Sequence, residues 1–477
     1  MTTDGHCDII AEESRIYGEK EPIMKNLTLE QHKKRIDNIN RAEQANKQYF
    51  RRHRIREYLA GQATYNLGDY PARFSIEPTE YDYDMLRDLA QNGVQLIQIH
   101  EEWNDAIRHL GADKFSSHDP AGLHKFVDLC HSFGIKIIPY ISTGYFSALD
   151  PDFRPEFARG EYDLISSHFH YRRCYAGSPA WREYMLPRTI AVLDEYGFDG
   201  IYNDWGYDGT QIAVRKAMAE GIDIKTLAVY DMPYDPELED LLGIIYHEIK
   251  KRGGVYKIHA DRNNTTPCKD KVYDYLWIGE NVVKESYGIG KDYEPYIVPC
   301  QDASSVSSEN PDAYYVGTIP FMQFPLLKRG RPVMGSGIYE DIPYEKRSFG
   351  HKHREQIKAY MDEHPHGPYV YSHWSSIPDD VEEYPRWCRY FKLYAPMVEE
   401  NTVAYIDLGE SEDILSPIPE KVFASMFVGD ETYLVVSNLD NKDYPLILKD
   451  EWIDRVDGKI GKQFTLPPTT ILFLRRK

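Results

Sequence analysis

The chain has 477 residues, enough for one large barrel plus a small accessory domain, and 42% hydrophobic with 28% charged residues is the make-up of a packed globule rather than a disordered chain. Its 56 basic and 76 acidic residues give a formal charge of −20, which repels phosphate backbones and anionic lipid, so neither nucleic acid nor a membrane surface is an expected partner. No run of about 18 apolar residues exists to span a bilayer, the opening MTTDGHCDII lacks a basic-then-apolar leader, and six scattered cysteines without C-x-x-C read as free thiols of a reducing, cytoplasmic setting.

Residues 1–26 are polar and patternless. At Thr28 the text TLEQ forms a capping box with Gln31, and a leader helix is expected through IDNINRAEQANKQYF, its last turns carrying Arg51, Arg52, Arg54 and Arg56 against the negative helix end. This helical arm (28–58) is a candidate for a homo-oligomer contact.

From residue 61 a unit repeats. Thr79 opens a helix that Gly93 closes, and VQLIQI follows. Asp119-Pro120 opens the next, Gly134 closes it, and IKIIPYI follows. Ser178-Pro179, Gly197 and FDGIYND make the third set; Asp235-Pro236, Gly253-Gly254 and VYKIH make the fourth. A capping side chain, often Pro at the first helical position, a closing Gly and then an apolar strand are the marks of parallel β/α units. No G-x-G-x-x-G follows the first strand and no P-loop occurs, so a nucleotide-binding open sheet is disfavoured, and no cofactor is expected. The strands GQATYNL (61–67), VQLIQIH (94–100), IKIIPYI (135–141), FDGIYND (198–204), VYKIH (255–259) and VYDYLWI (272–278), with one near Tyr314–Thr318 or Arg331–Gly335 and one at Pro368–Ser372, total the eight of a TIM barrel. After a helix on PRWCRYFKLYAPMV the text turns to short alternating strands. The expected fold is therefore α/β: a tail and helical arm (1–60), a (β/α)8 barrel (61–400) and a C-terminal antiparallel β-sandwich domain (401–477).

In such barrels chemistry sits at the carboxyl ends of the strands. Those ends carry His100 and Glu102, Asp204 and Trp205, His259, Asp261 and Arg262, Trp277 and Glu280, and His373 and Trp374. Carboxylates and imidazoles among tryptophans, in a chain with 38 tyrosines, suit a sugar: hydroxyls take hydrogen bonds while C–H faces lie on aromatic rings. Cleaving a glycosidic bond needs two carboxyls about 5–9 Å apart. Asp204 on strand 4 and Glu280 on strand 6 are the expected pair, Asp204 as nucleophile and Glu280, behind apolar YLWIG, as proton donor. His100, Glu102, Trp205, His259, Asp261, Arg262, Trp277 and Trp374 are the expected substrate-binding groups. Asp199, also acidic, stands at the start of strand 4, where it serves as a turn residue.

The string GFDGIYND, Gly197 to Asp204, resembles the α-galactosidase-like superfamily of (β/α)8 glycoside hydrolases, and the barrel-plus-sheet plan over 61–477 is similar to that of bacterial glycosyl hydrolases. The resemblance implies a nucleophile at Asp204, an acid/base at the strand 6 tip (Glu280, where that superfamily usually has Asp) and retaining exo cleavage of an oligosaccharide or glycoside. Two other readings compete. A metal-dependent barrel hydrolase would gather His100, Glu102, His259, Asp261 and His373, although neither H-x-H after strand 1 nor H-E-x-x-H occurs, so no metal is expected. A non-catalytic carbohydrate-binding protein would keep the aromatics without needing the pair.

Overall fold

The structure is a computed structural model, and it describes residues 27–67, 75–104, 114–148, 150–158, 164–166, 171–204, 220–221, 234–260, 268–278, 297–299, 311–331 and 382–477. The chain starts with α1 (Leu29–Ala45), capped by Thr28 and Gln31 in the expected reciprocal box. The helix stops there. Residues expected to continue it form β1 (Gln48–Arg54), where QYFRRHR alternates between exposed and half-buried positions. Arg51, Arg52 and Arg54 thus belong to a strand, and Arg56 lies beyond it, so none of them serves a helix terminus.

The barrel follows: β2 (Gln62–Asn66), α2 (Glu80–Gln91), β3 (Leu96–Ile99), α3 (Pro120–Ser132), β4 (Lys136–Ser142), a small three-stranded sheet of β5 (Tyr145–Ser147), β6 (Leu164–Ser166) and β7 (Tyr171–Arg173), then α4 (Pro179–Tyr196), β8 (Gly200–Asp204), α5 (Pro236–Lys251), β9 (Val255–Ala260), β10 (Tyr275–Ile278), β11 (Ile297–Pro299), α6 (Ala313–Thr318), β12 (Leu327–Gly330) and α7 (Glu383–Tyr394). Its eight strands lie in the order β11-β10-β9-β8-β4-β3-β2-β12, and each strand runs parallel to its neighbours in that order. The pairing of β12 with β2 brings the eighth strand onto the first, as a (β/α)8 barrel requires.

Two strands are not where the sequence places them. Tyr314–Thr318 is helical, in α6, and the seventh strand is β11 upstream of it; the eighth is β12, ending just before Arg331. Positions 332–335 and 368–372 lie outside the described residues. An apolar run of six residues reads equally well as buried helix or strand.

The helix signals hold locally. Asp119, Ser178 and Asp235 accept hydrogen bonds from the first-turn amides, each ahead of a proline, and Gly197 closes α4 at φ +70°. Period-two alternation sorts the strands' side chains. Leu96, Ile138, Tyr140, Tyr202, Val255, Tyr275 and Trp277 face one another inside the barrel. Their neighbours Ile97, Ile99, Ile137, Ile141, Ile201, Tyr256, Ile258 and Leu276 join the helices in the outer core.

The remaining strands are β13 (Val403–Glu410), β14 (Val422–Val428), β15 (Thr432–Asn438), β16 (Tyr444–Asp454), β17 (Ile460–Leu466) and β18 (Thr470–Arg476). With β1 they form one seven-stranded antiparallel sheet, ordered β1-β13-β14-β15-β18-β16-β17. One face carries its own core with Trp452, Met426 and Leu434. The other, through Ala404, Phe427, Val435 and Phe473, continues the barrel core. At that junction Phe321 meets Phe423 at 5.0 Å, and α7 contributes a stack of Trp387 on Phe391 at 4.6 Å. Each such buried ring contributes about 1.5–3 kcal/mol. Among the described residues no helix is long and apolar enough to cross a membrane.

Candidate active site

Asp204 is the last residue of β8 and faces the barrel interior two positions after Tyr202. Its carboxylate is buried, at 8% exposure, and is gripped from both sides. Tyr140 on β4 donates its hydroxyl to Oδ2 at 2.8 Å. His259 on β9 approaches Oδ1 with Nδ1 at 2.6 Å. A carboxylate only accepts, so the Nδ1 of His259 carries the proton. Tyr140 in turn lies 2.7 Å from the hydroxyl of Tyr145 on β5. Because Tyr140 spends its proton on Asp204, Tyr145 is the donor in that second bond. Burial and the Asp204 charge push the Tyr140 phenol far up, so it stays a donor.

The strand tips are locked from behind. Asn203, on the opposite face of β8, accepts from the Thr143 amide at 3.0 Å and donates to the Tyr256 hydroxyl at 2.7 Å. Two buried indoles, Trp103 and Trp181, donate to the carbonyls of Tyr140 and Thr143 at 3.0 and 2.9 Å. These bonds fix β4 and β8 in register, and with them the separation of Tyr140 and Asp204.

An aromatic wall rises beside the carboxylate. Trp277 lies 4.5 Å from Tyr202, 5.9 Å from His259 and 5.4 Å from His100. His100 is held neutral: burial first, then the charges of Lys328 and Lys257, lower its pKa to about 3. A polar chain fixes its tautomer. Lys257, which can only donate, bonds Oε1 of Gln98 at 3.1 Å. The Gln98 amide nitrogen is thereby turned toward Nε2 of His100, 3.3 Å away. Nε2 accepts, so Nδ1 bears the hydrogen, and it lies 3.9 Å from the Glu101 carboxylate.

The structure therefore brings together Asp204, His259, His100 and Trp277 of the sequence-predicted set. Glu102 lies in the short 3₁₀ turn after β3 and is buried. Burial and the neighbouring Glu101 raise its pKa well above the usual carboxylate range, which favours the neutral acid. Trp205, Asp261, Arg262, Glu280, His373 and Trp374 lie outside the described residues. Sequence reasoning missed Tyr140, Tyr202, Gln98 and Lys257, and it placed Tyr145 at the tip of strand 3 without giving it a role. Alternation along PYIS would have turned Tyr140 inward with Ile138, but a tyrosine within a strand reads as core.

Asp199 stands at the opposite end of β8 and is occupied by the frame. Its Oδ2 accepts from the Ile137 amide at 2.8 Å and meets Nε2 of His131 at 2.8 Å. Gly200 beside it has φ +146°, and a Cβ there would sit 1.7 Å from the Val255 carbonyl oxygen, so only glycine lets β8 and β9 come together. Among the described residues no group of three or more His, Cys, Asp or Glu side chains is arranged to hold a metal ion.

No protein-family model and no curated protein matches the chain. Solved structures do resemble it. An α-amylase of Anoxybacillus has TM-score 0.53 at 11% identity, over 88% of this chain and 99% of that one. An α-amylase of Geobacillus thermoleovorans, solved with acarbose, has TM-score 0.51 at 9% identity, over 88% and 99%. A maltogenic α-amylase of Thermotoga neapolitana has TM-score 0.50 at 12% identity, again over 88% and 99%. At such identities the likeness is one of fold: a (β/α)8 barrel followed by a C-terminal sheet.

Proposed function

We propose that this chain is a glycoside hydrolase that cleaves an oligosaccharide or glycoside with a carboxylate pair, Asp204 as nucleophile and Glu280 as acid/base, with retention of configuration. The observation that carries the reading is the Asp204 carboxylate itself. It is buried at the carboxyl end of the fourth barrel strand, aimed by Tyr140 and His259, and stands beside a wall of Tyr202 and Trp277. The α-amylase fold of the structural neighbours, one of them holding acarbose, supports the reaction class and an oligosaccharide substrate. The string Gly197–Asp204 supports the finer reading of α-galactoside-type exo action.

In the first step an Asp204 oxygen bonds the anomeric carbon while the glycosidic C–O bond breaks. The electron pair leaves with the departing oxygen, which takes a proton from Glu280. In the second, Glu280 recovers a proton from water, whose oxygen displaces Asp204. Glu280 follows β10, which only β9 separates from β8, so the two strand tips lie on one arc of the mouth. Asp261, Arg262, His100, Glu102, Trp205 and Trp374 are the proposed sugar-binding groups around them, in a cytoplasmic enzyme.

A panel of aryl α- and β-glycosides assayed with wild type, Asp204→Asn and Glu280→Gln tests this. Turnover of one member, lost in both variants and partly restored to Asp204→Gly by azide, is the expected result. Undiminished turnover by Asp204→Asn would defeat the assignment. Sugar binding without turnover of any member would favour a non-catalytic binding protein.

A further inference from the structure

A carboxylate that attacks carbon must later leave it, and leaving restores a charge inside a buried site. We infer that His259 and Tyr140 act chiefly in that second step: their two hydrogen bonds make Asp204 a good leaving group and keep the glycosyl-enzyme short-lived, and without either donor it accumulates. This deepens the reading of Asp204 as nucleophile and rests on it.

In the free enzyme the Asp204 side chain is a charged carboxylate, and in the glycosyl-enzyme it is a neutral ester. The residue is 8% exposed, and removal from water penalises the charged form more than the ester. Desolvation alone would therefore favour the ester and slow its breakdown. In breakdown the bond from the anomeric carbon to Asp204 is broken and its electron pair returns to the carboxylate. The water oxygen bonds the carbon, and Glu280 takes the water proton. Donors already in place at the carboxylate oxygens stabilise the returning charge without reorganising.

Both oxygens have such a donor. Nδ1 of His259 stands 2.6 Å from Oδ1, and the Tyr140 hydroxyl 2.8 Å from Oδ2. Whichever oxygen carries the sugar, one donor then faces an ester oxygen and the other a carbonyl, and both are weaker acceptors than a carboxylate oxygen. Each bond therefore strengthens as the sugar departs, and neither donor gives up its proton. The donors are held in position by groups other than Asp204. The His259 ring lies 5.9 Å from Trp277 and 6.5 Å from Tyr202, and the Tyr140 hydroxyl lies 2.7 Å from that of Tyr145. The Tyr145–Tyr140 bond is the same in the charged and the esterified state, so it positions Tyr140 without favouring either.

The consequence is read in a ratio of two rates. Loss of a donor destabilises the free carboxylate fully, the two transition states in part and the ester least, so glycosylation suffers less than deglycosylation. A loss of positioning common to both transition states cancels from the ratio. With 5-fluoro-α-D-galactosyl fluoride and 5-fluoro-α-D-glucosyl fluoride as probes, the trapping rate divided by the release rate should rise about tenfold in Tyr140→Phe and in His259→Leu. His259→Asn, close to leucine in size but with an amide N–H near the place of Nδ1, should keep the ratio within about threefold of wild type. Peptide mapping of the trapped wild type should find the sugar on Asp204. An unchanged or lowered ratio in Tyr140→Phe, or equal ratios in His259→Leu and His259→Asn, would overturn the inference while leaving Asp204 as nucleophile. A sugar on a different carboxylate, or no trapping of wild type by either fluoride, would overturn the nucleophile assignment as well.

Discussion

Strand β8 has an aspartate at each end, and the two are bound in different ways. Asp199, at the foot, takes a main-chain amide from the next strand, and its carbonyl accepts from the Val255 amide at 2.6 Å. Asp204, at the head, is met by a phenol and an imidazole. A carboxylate tied to backbone is part of the frame, since it cannot be released without disturbing the sheet. One tied to side chains can change partners during a reaction. Both acids meet an imidazole, His131 at the foot and His259 at the head, so it is the main-chain amide held by Asp199, rather than the acid itself, that separates the framing aspartate from the proposed nucleophile.

The sharpest break of this comparison is the exchange of the two acids' amide variants. Asp204→Asn should lower kcat/KM on an aryl glycoside by about 10⁴-fold with little change in melting temperature. Asp199→Asn should leave the rate per folded molecule within about twofold. A reversal of those outcomes would remove the distinction.

Next in size is Gly200→Ala. The new methyl would overlap the Val255 carbonyl oxygen at a backbone φ of +146°, so the protein should lose about 3–5 kcal/mol and most of its soluble yield. Near-native unfolding midpoints in urea would show that β8 and β9 can spread apart. Asp199→Ala should cost about 2 kcal/mol in the same titration, because the Ile137 amide loses its acceptor.

The smallest effect concerns pH. Glu102 has a folded-state pKa above its unfolded one, so its favourable contribution is complete below the unfolded value near 4.5 and is lost as pH rises through the folded value. His100 works from the other side. Its folded pKa of about 3 lies below the ordinary 6.5, so stability is complete above 6.5 and is lost as pH falls toward 3. Glu102→Gln should therefore match wild type in melting temperature at pH 4 and exceed it by on the order of 2 °C at pH 9. Parallel curves would mean that Glu102 titrates normally, and the mouth would then be less closed to water than its burial implies.

The helix boundaries at Asp119, Ser178, Asp235 and Gly197 were legible because a cap depends on a few adjacent residues. The long apolar strands were legible because both faces are covered. β11 and β12 are too short to show a period, and the buried α6 offers an apolar run that a strand would share. β1 escaped for another reason: its pairing with β13 sets Arg54 against Val403, and the Arg54 side chain reaches Asn401, 347 positions further along the sequence. At the site, Asp204 stood out as an acid ending an apolar strand. Tyr140 did not, because a tyrosine inside a strand reads as core, and its hydroxyl gains meaning only once β5 brings Tyr145 beside it. The different roles of Glu101 and Glu102 depend on the 3₁₀ turn after β3, where strand alternation no longer applies.

The union of β1 with β13 also orders events during biosynthesis. At about 5–20 residues per second, the ribosome takes roughly 17–70 s to extend the chain across the 347 positions between Arg54 and Asn401. Through that interval β1 offers a sheet edge with nothing to zip onto, bearing the exposed Phe50. The arginines interleaved along QYFRRHR place like charges wherever two nascent copies would align, so they discourage premature aggregation until β13 emerges.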